Sequence, residues 1–205
     1  MSGIVGSKLN IRGSGRIAKL GTDGQVLTSA GAGVSAVYED AAGGGGGKIG
    51  QIVSTNKTDT WSESVGAGSF SSIVTGLTVA ITPSDTSSKI LILLNATIGV
   101  SSGQAMGFGL FRDSTQIDIA DSAGSRSRMS KGKQDMGGST SSVCTLHTNY
   151  LDSPSSDSEL VYGIKTACHS SLTKTHYVNR SNDDADNGWN SGRAASTITA
   201  MEVLA

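Results

Sequence analysis

Large side chains are scarce in this 205-residue sequence: three Phe, four Tyr and two Trp. Charged residues make up only 16%, against about 25% in ordinary domains. Small residues fill the space instead, with 28 Gly and 33 Ser. Such a chain has little apolar area of its own to bury, so oligomerisation is the expected remedy. Glutamate occurs only as Glu39, Glu63, Glu159 and Glu202, scattered along the chain. A hydrolase needs paired carboxylates or a nucleophile with a base. The three histidines, His147, His169 and His176, stand near no Gly-x-Ser-x-Gly elbow, and Gly33-Val-Ser-Ala-Val37 is the nearest failure. An enzyme is therefore not expected.

Other shortages exclude further classes. The two cysteines, Cys144 and Cys168, match no metal spacing and make no disulfide framework. They are expected to be reduced and buried, pairing across neighbouring strands being the alternative. The longest aliphatic run, Ile90 to Leu94, falls far short of the ~20 apolar residues of a membrane span. The opening MSGIVGSKLNIRG lacks the apolar core of a secretory signal, so use without Sec-type export is expected. A net charge of −1 and a pI near 6.3 provide no global field for nucleic acid or an anionic membrane. No cofactor, nucleic acid or membrane insertion is expected.

What the chain does have begins with AAGGGGGKIG at 41–50. A phosphate-binding P-loop would need Gly where Ala42 stands and Ser or Thr where Ile49 stands. The following IGQIVSTNKTDTWSES is β-rich and has no helical period. Gly43 to Gly47 therefore reads as a flexible linker. Residues 1–42 form a small β-rich module with strand candidates KLNIR, RIAKL, GQVLTS and VSAVYED. So short and apolar-poor a unit is expected to need a partner surface, which makes it an anchor on something larger.

Residues 48–205 are expected to be a head domain. Strand candidates recur at 48–54, 69–75, 77–82, 88–100, 105–113, 115–121, 139–150, 158–168, 173–179 and 195–204. The turns between them include Thr82-Pro-Ser-Asp85 and Asp152-Ser-Pro-Ser155, which hold both prolines. Regularly spaced strands without an amphipathic helix predict an all-β, jelly-roll-like antiparallel sandwich. SKILILLNATIGV at 88–100 is apolar on both faces over its first half. A second sheet or another subunit is expected to lie over it.

Three stretches invite a chemical reading. Asn182-Asp-Asp-Ala-Asp-Asn-Gly188 echoes the start of a calcium loop, but no bidentate Glu stands at the twelfth position. A solvated acidic turn is the simpler reading, and no metal is expected. Trp189 lies between Asn187-Gly188 and Asn190, a set that can stack on and hydrogen-bond a sugar ring. Its alternative is to plug the end of the sandwich, and Trp61 reads as packing. The basic run Arg126, Arg128, Lys131 and Lys133 reads as a solvated inter-strand loop, with contact to an anionic surface as the alternative. The candidate binding residues are Asp183, Asp184, Asp186, Asn187, Trp189 and Asn190. No catalytic residue is assigned.

LFRDSTQI (110–117), DSAGSRSR (121–128), HTNYLDSPSSDSELVYGIKT (147–166), HYVNRSNDDADN (176–187) and RAASTITAMEV (193–203) occur in this order. Together they resemble a family of bacteriophage virion fibre proteins common among phages of marine and aquatic bacteria. GTDGQVLTSAGAG (21–33) resembles a short element in the stems of phage tail fibres. The resemblance implies a homotrimeric jelly-roll-like head on an N-terminal stem, mounted on the virion and assembled in the host cytoplasm. It implies no enzyme and carries over no receptor-contact list. A fibre docked on a capsid or tail protein through 1–42, with a head that attaches to a bacterial surface glycan, is the expectation. A capsid decoration or head fibre without a receptor is the alternative, and a depolymerase tailspike is a third.

Overall fold

The computed structural model describes residues 4–5, 8–9, 25–28, 37–40, 48–101, 105–133, 141–168, 172–186 and 191–205. The chain divides into two compact units, Met1–Lys48 and Ile49–Ala205. The linker assigned to Gly43 to Gly47 lies outside the described residues.

In the first unit, β1 (Ile4–Val5) pairs antiparallel with β2 (Lys8–Leu9), and β3 (Gln25–Thr28) with β4 (Val37–Asp40). Leu27 is 48% exposed. Two-stranded pairs of this length have too little face to be stable by themselves in water.

The second unit is all β. It runs through β5 (Ile49–Lys57), β6 (Trp61–Val65), β7 (Thr78–Ile81), β8 (Lys89–Val100), β9 (Met106–Arg112) and β10 (Thr115–Ile117). It continues through β11 (Lys131–Lys133), β12 (Val143–Asp152), β13 (Leu160–Cys168), β14 (Lys174–Val178) and β15 (Ser196–Val203). The antiparallel pairs nest: β5 with β15, β6 with β14, β7 with β13, β8 with β12, and β9 with both β10 and β11. The unit is thus one long two-stranded ribbon folded over on itself. Folding brings β15 and β14 against the free edge of β8, and β13 against that of β9. One layer therefore reads β12-β8-β15-β5, extended by β14 and β6, and the other reads β10-β9-β13-β7. This nested order is that of a jelly-roll sandwich.

Strict alternation makes the core. Ile90, Ile92, Leu94, Ala96 and Ile98 from β8 face Met106, Phe108 and Leu110 from β9, with Tyr162, Ile164 and Ile198. Trp61 packs against this cluster. Cys144 carries a free thiol on its flank.

The structure differs from the sequence reading in three places. β6 and β11 were not expected, being short and mostly polar. The expected strand 69–75 is an irregular segment whose Ser71 and Val74 N–H groups donate to Thr166 and Ile164 oxygens. Within the chain, the outward side chains of β8's first half are not covered, since Leu93 stays 41% exposed.

Candidate functional site

The stretch that holds the candidate residues links β14 to β15. β5 starts at Ile49, beside Val203, and ends at Lys57, beside Ser196. Nine strand residues at about 3.3 Å each put these ends roughly 30 Å apart. The β14–β15 connection sits at the Lys57 end, because Asn179 Nδ2 donates to the carbonyls of Lys57 (2.8 Å) and Asp59 (2.9 Å). The candidate loop thus stands at the end of the sandwich opposite its first residue.

Asn179 fixes where this connection departs. It is fully buried with φ of 64°, a region that Asn tolerates better than other non-glycine residues. Its N–H donates to the Thr97 oxygen at 2.9 Å, and its Oδ1 accepts from Ser196 Oγ at 2.6 Å. Ser196 Oγ in turn accepts from the Thr97 N–H at 3.0 Å. One residue, through its backbone and side chain, therefore ties the end of β14 to β15, β8 and the β5–β6 turn. The chain then crosses the outer side of β8, where a Cβ at Gly99 would stand 2.8 Å from the Arg180 oxygen. Only glycine lets the backbones lie so close.

The acidic turn is held by its neighbours. Asp184 lies 3.2 Å from Arg180 Nη1 and 2.8 Å from Arg193 Nη2. The Arg180 guanidinium covers the Tyr177 ring at 4.3 Å, and Tyr177 donates its hydroxyl proton to Asn182 Oδ1 at 2.7 Å. Ser141 Oγ donates to Asp183 Oδ2 at 3.1 Å. Asp183 and Asp184 are therefore engaged within the chain, while Asp186 is exposed. Asn187, Trp189 and Asn190 lie outside the described residues. A calcium loop would turn Asp184 onto the ion, whereas here it faces two guanidinium groups. Among the described residues, no three His, Cys, Asp or Glu side chains gather as metal ligands.

The sequence offered no sign of Asp184's partners, because Arg193 approaches only once the β14–β15 connection has closed on itself. The basic run is likewise internal in part. Arg128 Nε donates to the Ala120 oxygen at 2.6 Å, Arg126 Nη1 to the Ala123 oxygen at 3.2 Å, and Lys131 pairs with Asp118 at 3.4 Å.

The buried ionisable groups elsewhere include two whose pKa values are shifted far from their ordinary range. His176, on β14, is fully buried. Its Nδ1 is 2.7 Å from Thr166 Oγ1, while Nε2 has no hydrogen-bond partner. Burial pushes the imidazole down to about 4, against a weaker upward pull from Glu63. Glu202, on β15, is 1% exposed. Its burial acts to raise the carboxyl, but donors from Ser84 and Gln51 outweigh this and hold it at about 2. Both groups are sealed in packing.

A different concavity lies on the outer face of the β12-β8-β15-β5 layer. This open groove of about 430 Å³ is lined by Leu93, Asn95, His147, Asn149, Thr197 and Thr199, among others. It offers amides, hydroxyls and an imidazole but no carboxylate.

No family model matches the chain, and no curated protein matches it. Among solved structures it is similar to a chain from the structure of infectious bursal disease virus, Gt strain, at 10% identity and a TM-score of 0.38. That match covers 93% of this chain and 44% of the viral one.

Proposed function

We propose that the chain is a structural fibre protein of a bacteriophage virion. Residues 1–42 dock on a capsid or tail protein, 43–47 connect them to the sandwich, and the sandwich is the head of a homotrimer. Assembly takes place in the host cytoplasm and the product resides on the virion. The resemblance of the ordered strings between 105 and 203 supports the fibre assignment, and the jelly-roll order suits a trimeric head. The observation that supports attachment is the exposed, polar character of the β14–β15 connection, which leaves the sandwich at the Lys57 end. In this reading that connection meets a bacterial surface glycan. Of the candidates Asp183, Asp184, Asp186, Asn187, Trp189 and Asn190, the last four supply shallow polar and stacking contact without chemistry on the ligand, while Asp183 and Asp184 hold the turn. Three copies raise apparent affinity by about 10² to 10⁴ through avidity alone.

Fluorescently labelled full-length protein, mixed with cells of the bacterium on which the phage grows, tests this. Wild type binds, and Asp186→Asn with Trp189→Ala loses at least tenfold in binding. Equal binding by both proteins removes the loop from the contact. The double ion pair of Asp184 favours a second reading, since it leaves the turn less charge to offer a ligand. In that reading the chain is a capsid decoration without a receptor, and deleting 48–205 leaves phage adsorption intact. A depolymerase would release fragments from purified host capsule or lipopolysaccharide, and none are expected.

A further inference from the structure

The two outer faces of the sandwich are finished differently. On the β9–β13 layer the chain covers itself. The Phe70 ring meets Phe111 edge-on at 5.4 Å, and the Lys165 ammonium sits 4.4 Å over the same Phe111 ring. On the β12-β8-β15-β5 layer, among the described residues of the sandwich unit, the crossing lies at the end near Gly99.

The uncovered part of that layer has an unusual composition. Register places Leu151, Leu91, Met201 and Ile52 in one row across four strands. The sandwich unit has eight exposed large hydrophobic side chains among its described residues. Five of them, Ile49, Ile52, Leu93, Val143 and Leu151, point out from this face. Beyond a mixed row of Asn149, Leu93, Thr199 and Ser54 runs a polar one, with His147, Asn95, Thr197 and Asn56 in register. Lys89, at the margin, is the one charged side chain among the described residues of the face.

We infer that this face is the contact between copies of the chain. Uncharged protein surface is rare because charge keeps monomers apart, and depletion of charge is the mark of an interface core. Four strands about 4.8 Å apart and nine residues long span roughly 19 by 30 Å, or about 600 Å² in plan. Side-chain relief raises that toward the ~800 Å² per partner of a standard stable interface. The amide and hydroxyl row supplies paired donors and acceptors without fixed charge, so the same face of three copies can turn toward a three-fold axis, each meeting parts of both neighbours, without like-charge repulsion. A glycan would find no Phe, Tyr or Trp ring among the described residues of this face on which to stack. The inference rests on the homotrimer reading for the number of copies and is independent of any receptor.

The test uses light scattering after gel filtration on the full chain, wild type beside Leu93→Asp/Leu151→Asp. Wild type should elute at about 62 kDa, three times 20.8 kDa, and the double variant at the monomer mass with an unchanged far-ultraviolet spectrum. Asn149→Arg removes no apolar contact, so it keeps the test valid if the double variant fails to fold. It should weaken association at least tenfold. A trimeric wild type whose folded variants remain trimeric overturns this interface and leaves the fibre reading standing. A monomeric wild type overturns both.

Discussion

Acid should unfold this protein through His176 before any carboxylate matters. Protonating the imidazole would place an N–H at Nε2, where no acceptor is available, in a fully buried site. Glu63, its register partner on β6, opposes this only weakly because its Oε1 already accepts from the Ser72 N–H at 2.8 Å. The pKa falls from 6.5 to about 4 on folding. The unfolded chain therefore binds more protons between these values, and stability is intact above pH 6.5 and lost as pH falls toward 4. At pH 5 the loss is about 2 kcal/mol, and below pH 4 it approaches about 3 kcal/mol. With a urea slope of about 2 kcal/mol/M, the midpoint should drop by about 1 M between pH 7 and pH 5. Urea titrations at fixed protein concentration measure this, followed by circular dichroism. His176→Gln should be less stable at pH 7 but nearly flat down to pH 5. The reasoning fails if the wild-type midpoint does not move, or if His176→Gln keeps the wild-type slope.

Two other substitutions test groups that hold the sandwich ends. Asn179→Ala removes the donor to two backbone carbonyls and the acceptor for Ser196, and it leaves alanine in a left-handed conformation. A loss of about 3–4 kcal/mol is expected in urea unfolding, with Asn179→Gly about 1 kcal/mol milder. Glu202→Gln turns an amide donor toward Gln51 and Ser84 and should cost about 2 kcal/mol at pH 7. Glu202 titrates at about 2 rather than 4.5, so it stabilises the fold above pH 4.5 and that stability fades as pH falls toward 2. The variant should therefore lose the part of the acid transition that lies below pH 4.5.

The fold class was legible because alternation reports burial directly. The runs that became β8, β9, β13 and β15 have apolar side chains every second residue, and a sandwich is the simplest way to bury them. The turns around Pro83 and Pro154 were legible for the same local reason. Trp61-Ser-Glu-Ser-Val65 was missed because its inward set includes Glu63, and Lys131-Gly-Lys133 because three residues carry no period. Ser69 to Thr75 has strand-like composition, yet Gly76, at φ 78°, turns the chain before β7 can continue it.

Partnership was not legible, because a period of two says which face is buried and never against what. That β5 pairs with β15 across the whole unit follows from the folded ribbon and from nothing local. The same holds for the acidic turn: composition marked it as a polar loop, but only closure of the β14–β15 connection set Asp184 between Arg180 and Arg193. Glu202 reads in sequence as one more polar residue on an alternating strand, and its buried carboxylate exists only because Ser84 and Gln51 converge on it. Sequence by itself determined the long alternating strands, the scarcity of core-forming side chains and the composition of the loops. Tertiary structure decided which strands meet, which charges are consumed within the chain, and which face is left bare, because each depends on groups brought together from far apart in the sequence.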